Sequence, residues 1–318
     1  MKDNITKKQH YIPRSYLKEF SKINDNSDDK KNKILVFDKL RKKSYGSNVY
    51  DIACENLFYE IENAPTITER QIFETTFSEM ESKFLVLLKK FRRLCEEENN
   101  YFNALITTKE QRLEFSFYIV LQWIRTKKYR DIIRNFNDNA MTKIMKFYKE
   151  EFLGEKFDTN NKGYKIDEKI MHLNSLLDSN YIGALTNFIS NSHWMFIKNE
   201  TQTPFITSDN PVCRIPKYYV DEIYGEKIYP IFSDTLEINF PLSPNILLRI
   251  FRNQTSNYEK LKKFRNRVVP VKEIEMVDII NQFQCIMANE KIFINPEYKN
   301  LLEKYTKEDL LKEINLIM

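Results

Sequence analysis

The apolar residues of this chain follow one period before residue 193 and another after it, and that switch restricts the fold more than any other feature. Phe73, Phe77, Met80, Phe84, Leu87, Phe91 and Leu94 recur every three or four positions. The spacing predicts a long helix over about residues 67–97, with one apolar stripe and with Glu79, Lys83, Lys90 and Arg93 on its other face. Such a stripe packs a core. Thr107-x-x-Glu110 reads as a capping box for the next helix, which runs through Phe115, Ile119, Ile124 and Ile132 toward Phe152. Its segment 115–123 is apolar nearly all round, as in a buried central element. Residues 166–190, 271–287 and 307–318 read as further helices.

After His193 the apolar runs become short. Residues 194–197, 205–207, 229–232, 236–240 and 246–250 are β-like and lie between Pro, Asn, Asp and Ser turns. Residues 292–294 add another strand. Near the N-terminus, residues 34–37 form an apolar strand. The basic residues 39–43 and Tyr45-Gly46-Ser47-Asn48 read as a turn leading to a second strand. The order predicts an α+β fold, with a helical half of long amphipathic helices and a mainly antiparallel, strand-rich part. Nothing linker-like marks the switch. Residues 1–318 therefore read as one intertwined domain, with 1–192 and 193–318 as the subdomains if it divides.

Composition narrows the function. Apolar residues make up 42% of the 318, enough for a core. The 50 basic and 45 acidic residues nearly cancel, leaving +5. A surface that grips nucleic acid throughout is normally more basic. A local patch is compatible with this balance, and residues 39–43 and 260–267 are basic runs that serve as solvated faces or as such contacts. The four cysteines, Cys54, Cys95, Cys213 and Cys285, form no C-x-x-C pair. No signal peptide opens the chain, and no apolar run reaches about 18 residues. A reducing cytoplasm is the expected compartment, without membrane contact. With only five glycines there is no G-x-G-x-x-G and no phosphate-cradling P-loop. H-E-x-x-H and G-x-S-x-G are absent too.

Two polar motifs remain. One is Gln9-His10-Tyr11-Ile12-Pro13-Arg14, followed by Tyr16-Leu17 and Phe20. The other is Thr207-Ser208-Asp209-Asn210-Pro211-Val212. In each, proline stiffens the backbone beside ionisable groups. There are three histidines, His10, His172 and His193, and histidine is the readiest base near neutral pH. His10 is either a reactive group or part of an N-terminal segment pinned to the core. Asp209, at a strand end, is either a functional carboxylate or plain turn chemistry with Asn210. Gln122 and Arg125 interrupt the most apolar helix, and a buried guanidinium needs a partner. Asp209 and Glu81 would serve inside the protein, and a phosphate would serve as ligand. Glu74 and Glu81, seven apart, share a helix face. His172 has no motif around it and reads as structural. His193 either caps the preceding helix or contacts substrate.

These motifs resemble a bacterial domain-of-unknown-function family, number 4238. The resemblance rests on Gln9-His10-Tyr11-Ile12-Pro13-Arg14-x-Tyr16-Leu17-x-x-Phe20, Gln122-x-x-Arg125-Thr126 and Phe205-x-Thr207-x-Asp209-Asn210-Pro211. Pro241-Leu242-Ser243-Pro244 and Asn281 extend it, from about residue 9 to 290. It implies a family and no activity. By association with variable gene neighbourhoods, it is compatible with a defence or toxin effector.

The expectation is an enzyme acting on a phosphate-containing substrate, nucleic acid foremost. His10 would be base or metal ligand, Asp209 would orient it or bind Mg²⁺ or Mn²⁺, and Arg125 would stabilise charge. Arg14, Gln122, Asn210 and His193 would bind substrate. The alternative is a non-catalytic sensor that binds a nucleotide or a protein in a polar pocket.

Overall fold

The computed structural model describes residues 5–22, 28–62, 64–97, 108–158, 162, 164–165, 167–215, 219–220, 227–228, 234–255 and 258–306. The strands are β1 (Lys8–His10), β2 (Lys33–Asp38), β3 (Lys43–Asn48), β4 (Cys54–Asn56), β5 (His193–Asn199), β6 (Thr207–Ser208), β7 (Cys213–Ile215), β8 (Tyr219–Val220), β9 (Lys227–Ile228), β10 (Glu237–Ser243), β11 (Ile246–Phe251), β12 (Val268–Val271) and β13 (Lys291–Ile294). The helices are α1 (Arg14–Lys18), α2 (Ile67–Arg70), α3 (Ile72–Glu96), α4 (Lys109–Ile124), α5 (Lys127–Phe147), α6 (Glu168–Leu177), α7 (Ser179–Ser190), α8 (Tyr258–Leu261), α9 (Ile274–Met287) and α10 (Lys299–Tyr305). The protein is an α+β fold.

The phenylalanine stripe forms α3. Phe73, Phe77, Phe84, Leu87 and Phe91 are buried, and Glu79, Lys83 and Arg93 are exposed. The stripe packs on α4, where Phe84 stacks on Phe115 at 5.4 Å and Phe91 meets it edge-on at 4.9 Å. Each such side chain contributes ~1.5–3 kcal/mol by leaving water. The segment 115–124 of α4 is almost wholly buried, as its composition predicts.

Helix boundaries differ from the sequence expectation at capping residues. The box that opens α4 is Thr108 with Gln111, one residue later than Thr107 and Glu110. Thr107 lies outside the described residues. Gln serves this motif as well as Glu, so the sequence holds two competing registers. The helix expected to run toward Phe152 stops at Ile124. There Thr126 accepts from the Tyr129 amide and starts α5, which a π-helical turn, Tyr148–Leu153, extends. Residues 166–190 likewise divide into α6 and α7, because Asp178 accepts from the Tyr181 amide. In both places a short polar side chain offers the backbone a bond that ends one helix and begins another.

Two-stranded pairs form between β1 and β4 and between β8 and β9, and two larger sheets carry most of the strands. One has the order β12-β5-β11-β10-β7, antiparallel except for the β12–β5 pair. The other has the order β3-β2-β13-β6 and is antiparallel throughout. It joins strands from both ends of the chain. Tyr45-Gly46-Ser47-Asn48, expected in a turn, lies inside β3. The turn falls earlier, where Lys42 takes a left-handed φ of 52°. His193 does not cap α7; it is the first residue of β5. The runs 229–232 and 307–318 lie outside the described residues. Among the described residues no helix is long and apolar enough to cross a membrane.

Candidate functional site

The first motif crosses from the sheets to the helices, and its neighbours grip its main chain. β1 pairs with β4, and the Tyr11 amide donates to the Ala53 carbonyl at 3.0 Å. The Gln9 side-chain oxygen accepts from the Tyr59 amide at 2.6 Å. Gln122 Nε2 donates to the Tyr11 carbonyl at 3.3 Å. Arg125 Nη2 donates to the His10 carbonyl at 2.5 Å, and Tyr59 Oη donates to the Arg125 carbonyl at 2.5 Å. Pro13, at φ −56°, opens α1. From α1 the Tyr16 hydroxyl donates to the Pro241 carbonyl and meets Thr207 Oγ1, each at 2.8 Å. One phenol thus ties together three separate sequence motifs.

Arg125 is 4% exposed. Its partner is Glu81, at 2.9 Å, and not Asp209. Its guanidinium also lies 4.3 Å from the centre of the Phe77 ring. Pairing of this kind makes a buried cation tolerable. Beside it, Pro13, Phe77, Phe84, Leu121 and Gln122 line a cleft between α3 and α4. The cleft has about 20 Å³ of free space, room for about one water. Burial raises the carboxyl pKa of Glu74, within electrostatic reach of Arg125, Glu81 and Arg14.

The His10 ring faces the other way. Its Nε2 lies 3.1 Å from the Tyr50 carbonyl, an acceptor, so Nε2 carries the proton. Nδ1 is then a lone-pair acceptor, and among the described residues nothing donates to it. Burial, and after it the Arg14 charge, lower the imidazole pKa to about 4, so it is neutral at pH 7. Around Tyr50 stand Lys8, Lys30 and Arg14, at 4.7, 5.2 and 5.8 Å from the ring centre. Asp51 pairs with Lys8, and Asp29 pairs with Arg14 and Lys18.

The second motif is wholly inside. The Asp209 carboxylate accepts from the amides of Asn289, Glu290 and Lys291 at 2.8, 2.7 and 2.9 Å. It is 0% exposed, and burial lifts its pKa to about 6 despite those three donors. Asn210 Nδ2 donates to the Met287 carbonyl at 2.8 Å, and the Asn210 amide donates to Ser208 Oγ at 3.1 Å. Gln284 Nε2 donates to Ser208 Oγ and to the Asn210 carbonyl. Lys39, read in the sequence as part of a basic run, donates to the carbonyls of Cys285, Ile286 and Ala288 at the end of α9. Asp209 thus clamps the α9–β13 turn. Its charge reaches the buried Tyr11 beside His10.

His10 and Arg125 therefore meet, with Gln122 bonded to the next residue. Among the described residues no hydrogen bond joins Asp209 or Asn210 to that group. His193 is elsewhere, with Nε2 2.6 Å from Asn253 Oδ1 and its ring against Phe251 and Tyr258. His172 is a buried joint: Nε2 faces the Ile124 carbonyl at 2.7 Å, and Nδ1 accepts from Arg130 Nε at 3.1 Å. Sequence alone does not single out Tyr50, Tyr59 or Gln284, and it marks Lys39 only as part of a basic run. Tyr59 sits in an apolar run and Lys39 in a basic one, so neither carries a local signal. Among the described residues no three His, Cys, Asp or Glu side chains are grouped to hold a metal ion.

A family model described as a protein of unknown function, DUF4238, matches residues 8–298. The chain belongs to this family. No curated protein and no solved structure matches it. The DUF4238 match spans both polar motifs and every strand of both sheets.

Proposed function

We propose that the protein acts on a phosphate-containing substrate, nucleic acid foremost, at the face where His10 and Arg14 meet around Tyr50. One observation supports the reading: His10 is neutral and tethered through Nε2, which leaves Nδ1 as an acceptor on a ring within electrostatic reach of Arg14. Phosphoester hydrolysis needs an acceptor for a proton of the attacking water and a cation for the developing charge. Lys8 and Lys30 lie on the same face, and the Asp51 and Asp29 carboxylates that pair with Lys8 and Arg14 would have to yield to a polymer backbone there. Arg125 is a positioning residue here, holding His10 through its carbonyl. A divalent ion, Mg²⁺ or Mn²⁺, would arrive on the substrate phosphates. The full form of this reading is a nuclease-like defence or toxin effector of the bacterial cytoplasm.

The second reading, a sensor that binds without cleaving, is favoured by the His10 pKa of about 4. So weak a base is a poor proton acceptor at pH 7. The test is incubation of the purified protein with RNA and with DNA, with and without Mg²⁺ or Mn²⁺, beside His10→Ala and Arg14→Ala. Cleavage lost in His10→Ala, with unfolding unchanged, supports hydrolysis. Binding without cleavage, weakened in Arg14→Ala, supports the sensor. Neither binding nor cleavage overturns both.

A further inference from the structure

Away from Arg125, the N-terminal half of α4 borders a groove of about 780 Å³ shared with α6 and α7. That volume lies in the ~300–1,000 Å³ range of small-molecule sites. Glu110, Leu113, Glu114 and Phe117 follow the i, i+3, i+4, i+7 rule and present one face of α4. Leu176 and Leu177 of α6 and Ile182 of α7 complete an apolar floor. Leu113 and Leu177 are 46% and 58% exposed, so much of this floor is in water.

Three further observations describe an occupant. Thr186 lines the groove and is 7% exposed, yet its hydroxyl has no hydrogen-bond partner. A helical threonine usually bonds back to the preceding turn, so this is an open buried donor and acceptor. Glu110 and Glu114 stand exposed on the rim, where Glu110 bonds with the Thr108 side chain and Glu114 with Tyr118, and both keep carboxylate oxygens open to solvent. Gly183 leaves room at the wall: an added Cβ would meet nothing within 4 Å.

We propose that this groove binds a small amphiphile with an apolar body and a cationic head, an alkyl or aryl amine. The body covers Leu113, Phe117 and Leu177, the Thr186 hydroxyl takes a polar atom of the ligand, and the ammonium sits between the two glutamates. The site is independent of the His10 face.

The test uses dansylcadaverine, an aromatic body with a terminal ammonium, against a dansyl-aminohexanoate of similar length ending in a carboxylate. Binding to the full chain is followed by the blue shift and rise of dansyl fluorescence. The amine is expected to bind about tenfold more tightly, because attraction at an exposed acidic rim is exchanged for repulsion. Gly183→Leu fills the groove and should abolish the signal. Leucine has the better helix propensity and its Cβ meets nothing within 4 Å, so the variant is expected to stay folded, which circular dichroism checks. Glu114→Gln should weaken the amine about threefold and leave the carboxylate alone or slightly improved. Gly183→Ala, which adds one methyl, controls for folding and should keep most of the binding. Equal binding of the two probes, or amine binding that survives Gly183→Leu, overturns the proposal. So does absence of amine binding to the unaltered chain.

Discussion

Asp209→Asn separates architecture from chemistry. The Asp209 carboxylate is fully buried and accepts three main-chain amides from Asn289 to Lys291. Asparagine keeps the shape but has one acceptor oxygen and an amino group that faces donors. At least one amide therefore loses its partner. A hydrogen bond to a charged group contributes ~1.5–3 kcal/mol, and a stranded buried donor costs ~1–3 kcal/mol. Removing the charge offsets part of that, since burial has already lifted the pKa to about 6. The net loss should be ~2 kcal/mol, a fall in Tm of about 3 °C for a chain of this size. Thermal unfolding followed by circular dichroism at pH 7.5 reads it directly. Nucleic-acid binding or cleavage per folded molecule should be unchanged. An unchanged Tm together with lost activity would refute the clamp and return Asp209 to the reacting centre.

Arg125→Met should be more severe, since it strands Glu81 and the His10 carbonyl together; a loss of ~3–5 kcal/mol is expected from the urea midpoint. Tyr16→Phe unties the link between Thr207 and Pro241 and should cost ~1–2 kcal/mol in the same assay, without altering the His10 face. Acid should destabilise the fold through two histidines. The pKa values of His10 and His172 are lowered by burial to about 4 and about 3, below the free value. Their stabilising contribution is therefore complete above about pH 6.5 and is lost as pH falls toward 4 and then 3. Each histidine should lose ~1.4 kcal/mol for every pH unit crossed between its free and its folded pKa. Urea midpoints from pH 7.5 to 4 should show the decline. His172→Gln should flatten it, and an unchanged slope would contradict the assignment.

Much of the fold was legible because it depends on period. The stripe from Phe73 to Phe91 and the buried run from Phe115 to Ile124 became α3 and α4, since only a helix brings those residues to one core. The apolar runs after residue 193 became β5, β10 and β11 for the corresponding reason. The sequence also indicated that Arg125 needed a partner, because a buried charge does.

Tertiary structure alone decided which partner and which register. Glu81 was chosen over Asp209 because α3 and α4 pack side by side, a contact between residues 44 apart. Thr108 won over Thr107, and Thr126 and Asp178 divided helices that period alone would continue. The polar motifs showed the same limit. Sequence marked Gln9, Tyr16, Gln122, Thr207 and Asp209 as special without saying why. In the folded chain each bonds to main chain or to another motif residue, most of them across large separations. Local sequence fixes which side chains can donate or accept. Only folding determines which distant amide or carbonyl is brought within reach.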